Sequence, residues 1–167
     1  MLPIILAENA RVGLLGEGDA LGRRASLLLE SGIRAELIST ECDESRFSGL
    51  KLLFIAGLDE DRSRAMAACA RALGVLVNVE DIPELCDFHV PAIVRRGDLL
   101  LTVSTGGRAP ALARRVREWI EQEFGSEWQG RLDRLAESRE RWIAEGVAST
   151  GVSERTRDFV TEQGWLP

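Results

Sequence analysis

Three stretches of this chain carry residue types whose spacing suits chemistry on an anionic ligand. Asp81 comes directly after an apolar run, and a carboxylate at the end of a buried strand can serve as a general base. Residues 16–22 read GEGDALG, a glycine-rich turn of the kind that brings backbone N–H groups close to a phosphate. Residues 91–120 contain six arginines against two acids, a local charge of +4 in a chain of net charge −6. Such a basic segment suits a site for an anionic small molecule or, equally, a solvated helix face.

The composition narrows the classes of function. With 167 residues the chain is long enough for one compact domain and an appended smaller unit, and its net charge of −6 does not suit nucleic-acid binding. No apolar run approaches the length of a membrane span, and the first residues lack the basic segment of a signal peptide. We therefore expect no nucleic acid, no membrane association and a cytoplasmic location.

Cysteine and histidine usage argues against a metal centre. Cys42, Cys69 and Cys86 match no zinc or redox spacing, and their odd number does not suit a disulfide framework. His89 is the single histidine of the sequence, and it stands in a stretch with a proline close by. No metal held by the protein is predicted.

The elements that position these residues alternate between strand and helix. Apolar runs predict strands, and a helical spacing of apolar residues predicts the helices between them. The strands fall at residues 11–15, 35–39, 50–56 and 75–79, and the helices at 20–31 and 60–73. Strands that are apolar throughout and alternate with helices indicate an α/β fold, a Rossmann-like parallel sheet covered on both faces.

A different organisation begins after Asp81. Two prolines punctuate residues 80–98, which we predict to be a loop. The pattern then predicts a strand, a tight turn and three helices, at residues 99–104, 105–110, 110–124, 127–145 and 153–163. The last two helices carry a narrow apolar stripe, which we expect to pack on the main domain or on a second subunit.

The glycine-rich turn fits part of the dinucleotide fingerprint G-x-G-x-x-G. Gly16 and Gly18 occupy its first two positions and Leu21 its third. Glu41 follows the second predicted strand at about the distance expected of an acid that binds a ribose, and it can equally belong to a solvated acidic loop. Asp81 has a comparable alternative as a turn-forming residue ahead of a proline.

Two segments together resemble a known family. GEGDALGRRASLLLESG and GVLVNVEDIPELCDFHVPAIVRRGDLLLTVSTGGRAPALARRVRE resemble the N-terminal module of siroheme synthase, the precorrin-2 dehydrogenase and sirohydrochlorin ferrochelatase family. The resemblance covers residues 2–124, and VNV-x-D-x-P-x-x-C-x-F-x-x-P and STGG-x-x-P are its most specific blocks. It implies NAD-dependent oxidation of precorrin-2 to sirohydrochlorin, insertion of Fe²⁺ as a substrate in some members, and an intertwined homodimer. It leaves room for a separate uroporphyrinogen-III methyltransferase as a partner.

The resemblance also implies a division of the chain and the roles of its residues. The division is an NAD-binding Rossmann-like domain at residues 1–91, a dimerisation region at 92–125 and a C-terminal helical region at 126–167. Asp81 is the catalytic residue that the family pattern implies. The cofactor-binding residues are Gly16, Gly18, Asp19, Ala20, Ser39, Thr40, Glu41 and Asn78. A polycarboxylate substrate requires arginines beside the site, so the basic segment and the turn within it supply the residues predicted to bind the tetrapyrrole: Arg95, Arg96, Thr105, Gly106, Gly107, Arg108 and Arg114.

The chain departs from the family pattern mainly on the cofactor side. Glu17, Leu21, Arg24, Leu58 and Ala109 stand where the family usually has glycine, alanine, lysine, threonine and serine. Two alternatives to the dehydrogenase follow. One is a chelatase that has lost its nucleotide site, and the other is a non-catalytic homologue that binds a tetrapyrrole or a nucleotide.

Overall fold

The computed structural model describes residues 9–41 and 44–166, which form two units. Within the described residues, the first unit ends at Val90 and the second begins at Pro91. The three-part division above stays a prediction. Cys42 lies outside the described residues.

Among its described residues, the first unit contains four strands and two α-helices. In chain order these are β1 (Val12–Gly16), α1 (Gly18–Glu30), β2 (Glu36–Ile38), β3 (Leu52–Ala56), α2 (Glu60–Ala72) and β4 (Leu76–Val79). Short 3₁₀ turns at Glu44–Phe47 and Pro83–Leu85 complete the unit. Every strand and helix predicted for this part of the chain is present, with ends that differ by at most two residues.

The four strands form one parallel sheet in the order β2-β1-β3-β4. Leu14 of β1 pairs with Leu37 of β2 on one side and with Phe54 of β3 on the other. The chain moves outward in one direction from β1 to β2 and in the other from β3 to β4. This arrangement places a crevice at the carboxyl ends of β1 and β3, where ligands of open α/β sheets bind.

Each face of the sheet is covered by one helix. On one face, Leu14 and Phe54 pack with Leu28 of α1. On the other, Leu15 packs in one buried cluster with Ala67 of α2. Because neighbouring residues of a strand point to opposite faces, strands apolar throughout are what a sheet with two covered faces requires. The α/β, Rossmann-like fold class is confirmed.

The second unit begins with a β-hairpin that the sequence interpretation missed. Strand β5 (Ala92–Arg96) pairs antiparallel with β6 (Leu99–Val103), so the prediction of a loop over residues 80–98 is wrong for its last third. Gly97 has φ +60°, which suits a two-residue hairpin loop with Asp98.

Three helices follow the hairpin. They are α3 (Pro110–Glu123), α4 (Glu127–Ala144) and α5 (Ser149–Glu162), and α5 begins four residues before its predicted start. Helix α4 contacts β5, β6 and α5, and the rings of Trp142 and Phe159 meet edge to face at 6.3 Å. Part of the apolar stripe of α4 therefore packs within its own unit. In the part of the chain that the structure describes, no helix has the length and apolarity to cross a membrane.

Candidate active site

The carboxyl ends of β1 and β3 approach so closely that glycine is required at both. A Cβ on Gly16 would clash with the Ala56 carbonyl oxygen, and one on Gly57 would clash with that of Glu17. The Glu17 N–H also donates to the Ala56 carbonyl oxygen at 3.1 Å. The turn between β1 and α1 is thereby fixed against the end of β3.

The first turn of α1 leaves room for an anion. Gly18 begins the helix at φ +61°, and a Cβ placed there would meet no atom within 4 Å. The residue before it, Glu17, makes no side-chain cap hydrogen bond, so no side chain at that position occupies the first N–H groups. An uncapped helix N-terminus with free space at its first glycine fits the pyrophosphate of a dinucleotide. Asp19 and Ala20 follow in the same turn.

The Glu17 carboxylate is turned to two other elements. Its Oε1 accepts hydrogen bonds from Arg62 Nη2 at 2.6 Å and from Thr40 Oγ1 at 3.0 Å, and its Oε2 accepts from Arg62 Nη1 at 3.3 Å. Arg62 lies in the first turn of α2, and Thr40 follows β2. The pair is half exposed, at 45% and 48% of the two side chains. Glu17 thus joins three elements at the carboxyl edge of the sheet.

The electrostatics of this cluster keep both partners charged. The hydrogen bonds from Arg62 and Thr40 lower the pKa of Glu17 below its ordinary value. The hydrogen bond to Glu17 raises the pKa of Arg62, and the nearby charges of Asp59 and Glu41 add to the effect. At neutral pH the edge therefore carries a neutralised ion pair with a further acid, Glu41, close to it.

The residues after β2 that were predicted to bind the cofactor form a short turn. Ser39 Oγ accepts a hydrogen bond from the Glu41 N–H at 3.2 Å, and Thr40 donates to Glu17. Glu41 itself is exposed. The structure therefore brings Thr40 to the glycine turn through Glu17, a connection that the sequence interpretation did not include.

Asp81 lies just past the end of β4 in a backbone conformation that residues other than glycine rarely adopt. Its φ is +61°, and it is the one non-glycine residue with a positive φ among those the structure describes. Its side chain is exposed and makes no hydrogen bond or ion pair with any described residue. Aspartate tolerates this region better than most residues, at a cost of about 1 kcal/mol. A strained, unpartnered carboxylate at the ligand-binding edge of the sheet is a candidate general base.

The residue before Asp81 is anchored. The N–H of Glu80 donates to the Ile55 carbonyl oxygen at 2.9 Å, and its carboxylate lies 3.8 Å from Nη2 of Arg24 in an ion pair mostly shielded from solvent. The Arg24 guanidinium also lies over the Phe54 ring, 5.6 Å from its centroid. Arg24, where the family usually has lysine, thus ties α1 to the residue before Asp81.

The loop after Asp81 folds back on β4. Cys86 Sγ accepts from the Val79 N–H at 3.3 Å, and the buried Asn78 side chain donates to the Phe88 carbonyl oxygen at 2.9 Å. Asp87 accepts from the Val77 N–H at 2.9 Å. The Asn78 amide is therefore committed to the loop, and its predicted contact with the cofactor stays a prediction.

In the second unit, the TGGR turn is built by local hydrogen bonds. The Gly106 N–H donates to Ser104 Oγ, and the Ala109 N–H donates to Thr105 Oγ1, both at 3.2 Å. Gly106 and Gly107 have φ of +63° and +78°. Thr105 is thus used to shape the turn, and the glycines supply its left-handed backbone.

The six arginines of the basic segment fall into different environments. Arg96 donates to the carbonyl oxygens of Phe124 at 2.7 Å and Glu121 at 3.1 Å, so it caps the C-terminus of α3. Two others, Arg115 and Arg117, pair with Glu118 and Glu121 on α3. Arg95 is exposed. The exposed Arg108 and Arg114 make no ion pair or hydrogen bond through their guanidinium groups within residues 9–41 and 44–166, which leaves them available to an anionic ligand.

Two family models match this chain. The model described as "Putative NAD(P)-binding" matches residues 4–92, and the model described as "Sirohaem biosynthesis protein central" matches residues 96–123. The first model covers more than half of the chain and includes the glycine turn and Asp81. The second covers β6, the TGGR turn and α3.

Several relatives found by sequence are siroheme synthases. The chain is 35% identical to that of Methylococcus capsulatus in a match that covers 84% of this chain and 34% of the relative. It is 36% identical to that of Methylobacillus flagellatus, with 72% and 30% covered. The chain therefore spans about a third of the length of these relatives. A solved precorrin-2 dehydrogenase, SirC, matches all of this chain and 93% of its own with a TM-score of 0.72 at 19% identity, which shows a shared fold.

Proposed function

Because this chain belongs to the NAD(P)-binding family that includes the N-terminal module of siroheme synthase, we propose that it is an NAD-dependent precorrin-2 dehydrogenase. The proposed reaction removes a hydride and a proton from precorrin-2 and yields sirohydrochlorin. NAD⁺, when bound, supplies the hydride acceptor. The protein must then hold the cofactor, orient the substrate and accept one proton.

One observation carries this proposal, the state of Asp81. Its carboxylate is exposed, has no partner among the described residues and is held at φ +61° beyond the end of β4. Asp81 lies at the carboxyl edge of the sheet, and the uncapped first turn of α1 lies at the same edge. A carboxylate left unpaired at that edge is suited to take the proton that leaves precorrin-2.

The first turn of α1 would hold the cofactor. Its uncapped N–H groups suit the pyrophosphate, and Gly16, which lies close against Ala56, presents no side chain at that point. Glu17 does not obstruct this role, because Arg62 and Thr40 hold its carboxylate. Loss of the third small residue, at Leu21, is compatible with packing, since Leu21 joins the cluster beneath α1.

The substrate is a polycarboxylate, and the unpaired arginines of the second unit suit it. Arg108 and Arg114 each present a guanidinium group that forms no ion pair with the described residues. A guanidinium binds a carboxylate with two parallel hydrogen bonds. We assign these two residues, ahead of Arg96, to the binding of acidic substrate side chains.

We also propose a homodimer that uses α3. Leu112, Val116 and Trp119 follow one another at helical spacing, and Leu112 and Trp119 are 56% and 59% exposed. An apolar stripe on an otherwise charged helix suits a second copy of the same stripe. The cytoplasmic location and a methyltransferase partner remain predictions.

Ferrous-iron insertion into sirohydrochlorin is a second candidate activity of the same site. Metal insertion requires removal of protons from pyrrole nitrogens, and the unpartnered Asp81 can accept them. The protein need not hold the metal itself, because Fe²⁺ is a substrate.

The test is turnover of the purified protein with precorrin-2 under anaerobic conditions, followed by absorbance and NADH formation. We expect sirohydrochlorin and NADH in equal amounts, and no sirohydrochlorin when NAD⁺ is omitted. Metal insertion without any oxidation of precorrin-2 would identify a chelatase alone. Binding of either ligand without turnover would identify a non-catalytic homologue.

A further inference from the structure

We propose that Glu17 and Arg62 together select NAD⁺ over NADP⁺, with Glu17 as the carboxylate that meets the adenosine ribose and Arg62 as a cation that Glu17 keeps occupied. This inference rests on the proposed function in one respect, that the chain binds a dinucleotide. It assigns to Glu17 the role that sequence spacing assigned to Glu41.

The Glu17 carboxylate lies between the glycine turn and the end of β2. It belongs to the glycine turn in sequence, but Thr40 Oγ1 donates to it at 3.0 Å, so it reaches the carboxyl end of β2. In dinucleotide-binding folds of this kind, the pyrophosphate lies at the first helix and the ribose hydroxyls reach the end of the second strand. Glu17 therefore stands between these two positions with its acceptor oxygens at the second.

Arg62 is already occupied by Glu17. Both of its terminal nitrogens are directed to Glu17, at 2.6 Å and 3.3 Å, so the guanidinium is bound in a two-point contact. An arginine near the end of the second strand is what a fold of this class uses to accept a 2′-phosphate. Here that cation is neutralised by an acid of the chain itself.

The two cofactors differ at the 2′ position of the adenosine ribose. The 2′-hydroxyl of NAD⁺ can donate a hydrogen bond to a carboxylate, whereas the 2′-phosphate of NADP⁺ is an anion that does not donate one. A 2′-phosphate at this edge would meet Glu17 and the exposed Glu41, and the cation that it needs is already paired. The pair is half exposed, so it can be rearranged by a single substitution without disturbing a buried core.

The experiment measures equilibrium binding of NAD⁺ and NADP⁺ by calorimetry, without any tetrapyrrole. We expect the wild-type protein to prefer NAD⁺. Glu17→Gln removes the carboxylate charge and releases Arg62, so the ratio of the NADP⁺ to the NAD⁺ Kd should fall by about tenfold. Arg62→Gln leaves Glu17 without its counter-charge, so the same ratio should rise. The double variant Glu17→Gln/Arg62→Gln should lack the gain in NADP⁺ affinity expected of Glu17→Gln alone, because Arg62 is no longer present to bind the 2′-phosphate.

Glu36→Gln is the matched control. Glu36 forms a comparable two-point pair with Arg11, at 2.8 Å and 2.9 Å. It begins β2, however, so it lies at the amino-terminal end of the strands, opposite to the carboxyl ends where Glu17 lies. The control should leave the ratio of the two dissociation constants unchanged.

The outcomes separate the two proposals. If wild-type protein binds NAD⁺ and neither Glu17→Gln nor Arg62→Gln shifts the ratio by more than about twofold, the selectivity proposal is wrong and the dehydrogenase proposal stands. If Glu36→Gln shifts the ratio as much as Glu17→Gln does, the effect is one of overall charge and the selectivity proposal is again wrong. If wild-type protein binds neither nucleotide, both proposals fall.

Discussion

Glu17, at the start of α1, and Arg62, in the first turn of α2, form a two-point ion pair across 45 residues of sequence, with Arg62 Nη2 2.6 Å from Glu17 Oε1. This pair changes what the acid in the glycine-rich turn implies for the binding of a pyrophosphate. An acid there would oppose a pyrophosphate if it were free. Held by Arg62 and Thr40, it leaves the first N–H groups of α1 without a side-chain cap.

The pair makes a prediction about the pH dependence of stability. The pKa of Glu17 is lowered in the folded state, so its stabilising effect is complete above its ordinary pKa of 4.5 and is lost as the pH falls through the folded value. The Tm of wild-type protein should therefore exceed that of Glu17→Gln near neutral pH, by a small margin because the pair is half exposed. The margin should shrink as the pH is lowered below 4.5. A margin that grows in acid would contradict the assignment.

A second prediction concerns the start of α3. Ala109 occupies the N-cap position and offers no side-chain cap, where the family usually has serine. Ala109→Ser should stabilise the protein by about 1 kcal/mol, because a serine hydroxyl can accept from the first free N–H groups of the helix. The expected rise in Tm is roughly 2–4 °C for a chain of this size. Ala111→Ser, an exposed position inside the same helix, is the control and should give no rise.

A third prediction separates the arginines of the basic segment. Arg108→Ala and Arg114→Ala should each raise the KM for precorrin-2 by about tenfold, since each would remove a charge-assisted contact to a substrate carboxylate. Arg115→Ala is the control, because Arg115 is already paired with Glu118. Equal effects of all three substitutions would show that only the overall charge of the segment matters.

A fourth prediction concerns the proposed dimer. Trp119→Glu would place a charge in the middle of the apolar stripe of α3, and we expect it to convert the dimer to a monomer in light scattering coupled to gel filtration. Leu29→Glu, which changes a leucine that is 65% exposed on α1, should leave the dimer intact. A monomeric wild-type protein would contradict the proposal directly.

Local sequence signals predicted most of the first unit. The β1–turn–α1 segment and the position of Asp81 after β4 both follow from patterns within a few residues. These local patterns predicted the fold because the apolar strands favour an extended backbone and are also buried in the sheet.

The second unit shows where local signals failed. The arginines of β5 and the prolines before it obscured the strand, although the two-residue loop Gly97-Asp98 between apolar runs is a hairpin signal. The role of Arg96 at the end of α3 depends on how the hairpin meets that helix, which no local pattern states.

The site contained a residue that spacing alone could not find. Arg62 is one of several arginines on α2, and only the order of strands in the sheet brings it to Glu17. The same holds for Thr40, whose position among the predicted cofactor contacts followed from the family resemblance and not from its bond to Glu17.

The most direct test of the central claim is the rate of precorrin-2 oxidation by Asp81→Asn. Asparagine tolerates the left-handed backbone at this position, so the variant should fold with a Tm close to that of the wild type. The control is Glu84→Gln, another exposed acid of the same loop. We predict that Asp81→Asn binds NAD⁺ as the wild type does and oxidises precorrin-2 at least about a hundredfold more slowly, while Glu84→Gln keeps its rate. An Asp81→Asn variant that folds, binds NAD⁺ and turns over at the wild-type rate would contradict the account.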